Sequence, residues 1–412
     1  MNHYTRTSCQ TCGNNHLKLF LSLGPMPLAN AFLHSPAEFA AEPFYPLDVY
    51  FCETCSLVQL LDRIDPEVLF RNYIYVTSTS DTIATHNKLY AQTIIDFLKL
   101  ETGDLVVEVG SNDGSLLKHF KEYRMRVLGI DPAMNIARMA RSSGIETISQ
   151  FFNSCTAQDI RESHGLAKVI IGNNVLAHVN DTQDFLRGCK ILVEEDGFIV
   201  IEVPYLRNLI DQLEYDTIYH EHLCYFSINA LIRLYDTVGL SIIRIDHVPV
   251  HGGSLRIYAR VKERCSNHAE DVLALAEGET HVGLTEFAYY ERFTADVETN
   301  RCEILDMIET LHRAGKMVAG YGAPAKGNTL LNYCGIDTRL IPYTVDKNPM
   351  KVGLYTPGMH IPVLPVSTLG ERRPAYLLVL AWNFADEIMR QQREFHDHGG
   401  RLIIPIPKPR VV

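Results

Sequence analysis

The sequence predicts an α/β protein in three parts: a small metal-bound module at residues 1–66, a Rossmann-like domain at 67–244, and a second Rossmann-like domain at 245–412. Three observations carry this. Four of the ten cysteines fall into two CxxC pairs near the N-terminus. A strand, glycine turn and helix are written in "DLVVEVGSNDGSLLKHF". A second such unit appears in "KMVAGYGAPAKGNTLLNYCGI". A chain of 412 residues is also too long for one ordinary core.

Composition narrows the class. Hydrophobic residues make up 46% and charged residues 21%, as in globular proteins. The net charge of −11 excludes a global basic field that would attract nucleic acid or anionic lipid. The start "MNHYTRTSCQTC" lacks an apolar signal core, and no apolar run approaches a membrane span. A cytoplasmic protein with no nucleic-acid or membrane partner is expected.

The first part is defined by Cys9 and Cys12 in "CQTC" and Cys52 and Cys55 in "CETC". Each two-residue gap lets both sulfurs of a pair face one ion, so the four thiolates predict a tetrahedral zinc site. Four protein ligands leave no open position for a substrate, which makes the zinc structural. The intervening "LGPMPLANAF" and "YPLDVYFC" suit a small domain whose fold is held by the metal. The other six cysteines are scattered and read as small buried hydrophobes.

In the second part a helix around "THNKLYAQTIIDFLKL" precedes the apolar strand that carries Glu108 and breaks at Gly110-Ser-Asn-Asp-Gly114. Gly110 permits the sharp turn, with Asn112 and Asp113 within it. The next unit, "RVLGIDPAMNIARMA", ends its strand at Asp131 and Pro132, and an acid there is placed to hold ribose hydroxyls. The turn lacks the second glycine that would admit a dinucleotide's pyrophosphate, while Glu108 and Asp113 suit a cationic, phosphate-free cofactor. It resembles motif I of the class I S-adenosylmethionine-dependent methyltransferases. "GIETISQFF" then offers Gln150 and Phe151 to an adenine edge and face. "KVIIGNNVLAHV" places Asn173 and Asn174 at the end of a fourth strand. An open α/β sheet that binds another nucleotide is the competing reading.

The segment "YHEHLCYFS", Tyr219 to Ser227, allows a metal site, a set of proton-transfer groups or a polar turn. Its histidines are two apart, unlike the four-residue spacing of a zinc helix, so a metal is weakly supported. Acid–base chemistry fits better beside a methyl donor. Methylating carbon next to a ketone needs a base and donors for the enolate oxygen. His222 is the candidate base, Glu221 the residue that orients it, and Tyr219 the donor. His178, after the fourth strand, is expected to face the same crevice.

The third part repeats the strand–turn–helix pattern. Gly322 and its neighbouring glycines leave amides open, Lys326 supplies charge at a helix start, and a pyrophosphate fits. Asn328, Asp346 and Asn348 follow at the turn and the next strand end. Trp382, the only tryptophan, can stack on a base or fill a core. "HGGSLR" with Arg256 suits a substrate-facing loop between the two large domains.

Taken in order, the CxxC pairs, "EVGSNDGSLL", "NNVLAHV", "EVPY", "YHEHLCYFS", "HGGSLRIY" and "GYGAPAKGNTLLN" resemble the sugar C-methyltransferase family, which includes C-3 methyltransferases of 4-keto deoxysugar nucleotides. The resemblance implies a zinc-binding N-terminal domain, a class I methyltransferase domain, and a C-terminal Rossmann-like domain that helps hold a nucleotide-sugar. It implies a dTDP- or GDP-linked substrate and places Tyr219, Glu221, His222 and His178 in the active site, with His220 beside them on the substrate side. It also implies a tyrosine just after the zinc domain. Within "RNYIYVTSTS" Tyr73 is preferred, and Tyr75 is left as a substrate contact. The alternatives are methylation of oxygen or nitrogen on a sugar or small acceptor, and a zinc-ribbon interaction protein without activity.

Overall fold

The computed structural model describes residues 3–71, 81–249, 252–264 and 267–412. Tyr73 and Tyr75 therefore lie outside the described residues, as does His251 of "HGGSLR".

The N-terminal module is an antiparallel sheet of the strands Leu17–Met26, Tyr45–Cys52 and Val58–Leu60. A fourth strand comes from far along the chain. Cys224–Tyr225 pairs with Val58 and Gln59, so the end of the "YHEHLCY" segment completes this sheet. The two cysteine pairs form tight turns, closed by Gly13 N–H to the Cys9 carbonyl and Ser56 N–H to the Cys52 carbonyl. Their four sulfurs lie within 4.8 Å of one another, with Cys9–Cys55 at 3.5 Å and Cys12–Cys52 at 3.6 Å. A tetrahedron with Zn–S bonds of about 2.3 Å has edges of roughly 3.8 Å, so the cluster has the size that zinc requires.

The central sheet has seven strands in spatial order 3-2-1-4-5-7-6, counted along the sequence from Leu105–Val109. Strands one to five are parallel, and Ser254–Val261 runs antiparallel to both its neighbours. Leu105–Val109 lies directly beside Ala167–Asn173, and the connections leave these two strands in opposite directions. Ligands of open α/β sheets bind at such a switch point, beyond the strands' carboxyl ends.

The central sheet runs past residue 245, through the strand Leu240–Val248 and on to Val261. The glycines of "HGGSLR" shape a hairpin between these strands, with Gly252 at φ 87° and Gly253 at φ 115°. Glycine turns at a hairpin and at a domain linker look alike in sequence.

Beyond the helices Glu270–His281 and Phe287–Arg313 lies the C-terminal sheet. Its parallel strands are ordered Val363–Pro365, Thr344–Asp346, Val318–Tyr321, Tyr376–Val379, Arg401–Ile404, with Arg410–Val411 antiparallel at the edge. The zinc module docks on this domain. Phe20 and Phe51 pack on Tyr290 at ring distances of 4.9 and 4.7 Å. Leu33 exchanges backbone hydrogen bonds with Tyr355, and Glu42 accepts from Gly358 N–H and lies 2.8 Å from His360 Nε2. No helix among the described residues is long and apolar enough to cross a membrane.

Because one sheet holds both the cysteine turns and Cys224–Tyr225, loss of metal should reach both. Cys52→Ser is expected to lower bound zinc from about one per chain to a trace. Amide exchange at Val58–Leu60 and Cys224–Tyr225 should then accelerate together, at least tenfold on the order of 1.4 kcal/mol, while Leu105–Val109 stays protected. Unchanged exchange in a zinc-free variant would show that the sheet stands without the metal.

Candidate active site

A cavity of about 880 Å³ opens where the three parts meet. That is near the top of the usual range for ligand pockets, roughly 300–1,000 Å³. Its walls come from the switch-point turns, the 219–225 segment and the C-terminal glycine turn.

On the central-domain side, the strand Leu105–Val109 is wholly buried and ends at Gly110, φ 71°, where an added Cβ would lie only 3.2 Å from the Val175 side chain. Asn112, also at positive φ, donates its amide to Asp131 Oδ2 at 2.9 Å, and Ala133 N–H binds Asp131 Oδ1 at 2.9 Å. Asp131 is thereby fixed at the end of the second strand. Glu108, Gly110, Asn112, Asp131, Pro132, Gln150, Phe151, Asn173 and Asn174 all line the cavity. Asn174 sits at φ 54°, a conformation that asparagine tolerates better than most residues, and its amide donates to the Glu202 carbonyl.

The polar atoms here form a pattern. Glu108 Oε2, Asn173 Oδ1 and Asn174 Oδ1 are buried without a hydrogen-bond partner among the described residues. Burial, reinforced by Asp113 and Asp131, pushes the Glu108 carboxyl well above its ordinary range. Several acceptors lacking donors fit a ligand with positive charge, amine and hydroxyl donors, which describes S-adenosylmethionine. Asp113 is not among the cavity-lining residues; its Oδ1 accepts from Ser115 N–H at the start of the helix Ser115–Glu122.

The 219–225 segment turns rather than extends. His222 N–H donates to the Tyr219 carbonyl at 2.8 Å, which sets Tyr219 and His222 side by side on the cavity wall. His222 Nδ1 lies 2.7 Å from the Thr217 carbonyl and Nε2 lies 2.9 Å from Tyr219 OH. A carbonyl only accepts, so Nδ1 carries the proton, and in the neutral ring Nε2 holds the lone pair. His178 meets His222 edge-on at 4.8 Å. Burial lowers its pKa from 6.5 to about 4, and its Nδ1 has no partner among the described residues.

Several residues lie elsewhere than the sequence reading put them. Glu221 is not in the cavity lining and accepts from Asn30 Nδ2 at 2.7 Å; the Thr217 carbonyl, not Glu221, orients His222. His220 faces the zinc module, with Nε2 3.1 Å from the Pro46 carbonyl, because the turn directs it away from its neighbours. Among the described residues the four cysteines are the only cluster tight enough for a metal, so the histidines form none. Arg256 is not substrate-facing. It lies opposite Glu202 on adjacent strands, pairs with it at 3.0 Å and stacks 3.9 Å over Tyr90. Gly322, Lys326, Asp346 and Asn348 line the cavity, whereas Asn328 and Trp382 do not. Asn328 donates to the Ala29 carbonyl, and Trp382 donates to Asp216 at 2.7 Å, because both satisfy buried groups at domain contacts.

Sequence reasoning also passed over cavity residues. Glu202, in "EVPY", lies 3.4 Å from His86 Nε2. Burial raises its pKa, but His86 and Arg256 outweigh that and hold it below the ordinary value. Asn30, from the zinc module, also lines the cavity. The quoted motifs contain both residues, yet nothing local distinguishes them from surface residues.

His178 should be neutral throughout the physiological range. Its folded pKa of about 4 lies below the unfolded value, so it adds stability above about pH 6.5 that is lost as pH falls toward 4. The loss amounts to at most about 3 kcal/mol. His178→Gln is expected to flatten the pH dependence of stability in that window, and histidine NMR of the wild type should show a neutral ring at pH 5.5. A charged ring at that pH would contradict the burial argument.

Comparison with known proteins agrees with this architecture. Residues 9–70 match a family model described as a zinc binding domain, 83–245 a "Methyltransferase domain", and 249–407 a "C-methyltransferase C-terminal domain". The chain is 37% identical over 404 residues to the C-methyltransferase NovU of Streptomyces niveus, covering 98% of this chain and 96% of that protein. Among solved structures, magnesium protoporphyrin IX methyltransferase from Synechocystis PCC 6803 covers 43% of this chain and 81% of its own at 15% identity, TM-score 0.33. A SAM-dependent methyltransferase from Aquifex aeolicus covers 43% and 97% at 14% identity, TM-score 0.33. The likeness to NovU runs through the zinc module, the cofactor sheet and the C-terminal domain alike, and the chain belongs to the family of S-adenosylmethionine-dependent C-methyltransferases.

Proposed function

We propose that this C-methyltransferase methylates C3 of a 4-keto-6-deoxysugar linked to a nucleoside diphosphate, within branched-chain deoxysugar biosynthesis. The single observation that carries the reading is the Tyr219–His222 pair on the cavity wall, with His222 Nδ1 tied to the Thr217 carbonyl. A methyltransferase acting on oxygen or nitrogen needs at most one base. One acting on carbon beside a ketone needs a base and an oxyanion donor that work together.

Glu108, Gly110, Asn112, Asp131, Pro132, Gln150, Phe151, Asn173 and Asn174 are the residues that would hold the cofactor. Bound S-adenosylmethionine supplies an electrophilic methyl group. His222 Nε2 is the ring nitrogen with the lone pair, and in this structure Tyr219 OH occupies it. When the ketone oxygen takes the tyrosine hydroxyl as its donor, Nε2 is released to accept the C3 proton. The resulting imidazolium keeps its Nδ1–H on the Thr217 carbonyl. His178, neutral because it is buried, offers a second hydrogen bond to the enolate oxygen without adding charge. Glu202, held by Arg256, keeps its negative charge beside the cofactor side of the cavity.

The test is a panel of thymidine- and guanosine-linked 4-keto-6-deoxysugars, incubated in D2O with wild type and His222→Ala. The expected outcome is one added methyl at C3 with loss of the C3 proton. The variant should fall by about 10²–10⁴ in turnover while binding S-adenosylmethionine within about twofold of wild type. A methyl found on oxygen, or an unimpaired variant, would refute the enolate reading.

A further inference from the structure

The carbonyl that sets the His222 tautomer belongs to a turn with little freedom of its own. Thr217 ends the 3-10 helix Tyr215–Thr217, and its carbonyl lies 2.7 Å from His222 Nδ1. The chain enters that turn through Leu213 at φ 55°, a left-handed conformation that a bulky residue keeps only where its surroundings enforce it. The enforcing contacts are made by the next side chains. Tyr215 and Asp216 are both fully buried.

Both side chains are tied to the C-terminal domain. Tyr215 OH donates to Asn300 Oδ1 at 2.9 Å, and Asn300 Nδ2 donates to the carbonyls of Pro405 and Pro407. Asp216 Oδ2 accepts the Trp382 Nε1–H at 2.7 Å. Burial pushes the Asp216 carboxyl up to about 6, while Lys326 and the Trp382 N–H favour its charged form. The same indole has the Lys326 ammonium 4.6 Å over its face, so the ring meets a cation on its face and a carboxylate at its edge. A buried hydrogen bond to a carboxylate is stronger than a neutral one and costly to lose.

The position of this bond matters more than its strength. Asp216 directly precedes Thr217, and only a few backbone dihedrals separate its side chain from the Thr217 carbonyl. Thr217 and Lys326 both line the cavity, so the link joins its two walls behind the lining. We propose that Asp216 is a positioning residue for His222: held by the Trp382 indole, it fixes the turn whose Thr217 carbonyl keeps the His222 proton on Nδ1 and the lone pair on Nε2. This rests on the reading of His222 as the base. The C-terminal domain thereby acts on the base without touching it.

Nitrogen-15 NMR of the full chain reads the His222 tautomer at about pH 8, where an ordinary imidazole is neutral; the signal is assigned by its loss in His222→Ala. Trp382→Phe keeps a ring and removes the N–H, whereas Asp216→Asn keeps an oxygen acceptor of the same size. Wild type and Asp216→Asn are expected to hold the proton on Nδ1. Trp382→Phe should show both tautomers and lose roughly 10- to 100-fold in kcat, with KM and S-adenosylmethionine affinity within about twofold of wild type. If Trp382→Phe fails to fold, Asp216→Ala gives the same comparison by removing the acceptor. An unchanged tautomer in the variant that lacks the bond overturns the assignment. So does a matching loss of S-adenosylmethionine affinity, which would make the bond a support of the fold at large. A changed tautomer with wild-type kcat would uphold the link and instead remove His222 from the role of base.

Discussion

The backbone of Leu223 is the joint on which the site depends. Its N–H donates to the Ala177 carbonyl, next to His178, and its carbonyl accepts from Leu60 N–H in the zinc module's sheet. One residue thus ties the turn after the fourth strand to the Tyr219–His222 pair and to the metal-held strands. A small shift in any of the three moves the others, because interiors are close-packed and transmit displacement. In the proposed reaction a metal held by the four cysteines would touch no reactant; it would fix the sheet edge to which the Tyr219–His222 segment is joined.

The same cavity holds groups with opposed electrostatic needs, and burial sorts them. Glu108 is pushed up by burial and by neighbouring acids, whereas Glu202 is held down by His86 and Arg256. His178 is kept neutral because nothing nearby offsets its desolvation. His222 is different in kind: its tautomer is set by a backbone carbonyl, a partner that does not titrate. A proposed base oriented by a carbonyl keeps its geometry through a change of its own charge, which a carboxylate partner would bind more tightly.

Much of the architecture is local and so legible in sequence. The CxxC spacing closes its own turns, and "EVGSNDG" needs positive φ at Gly110 and Gly114, which glycine supplies. The acid at the second strand end follows from the same unit. Misplacements arise where a side chain's partner is remote. Arg256 and Glu202 are 54 residues apart in sequence and become neighbours only through strand register. Trp382 meets Asp216 across 166 residues, and Asn328 meets Ala29 across 299. That the central sheet runs past residue 245 has a related reason, since whether a glycine pair links domains or turns a hairpin depends on which strand follows it.

The sequence by itself determined the three-part plan, the four-cysteine metal cluster and the strand–glycine–helix units, because each is fixed by spacing and backbone preference within a few residues. Only the tertiary structure decided which members of "YHEHLCYFS" face the cavity, because an i to i+3 turn and an i to i+2 strand direct side chains differently. It alone also brought Asn30, Glu202 and Lys326 to one cavity from three parts of the chain. Such convergence comes from domain docking and sheet register, which depend on long-range packing that no local pattern encodes.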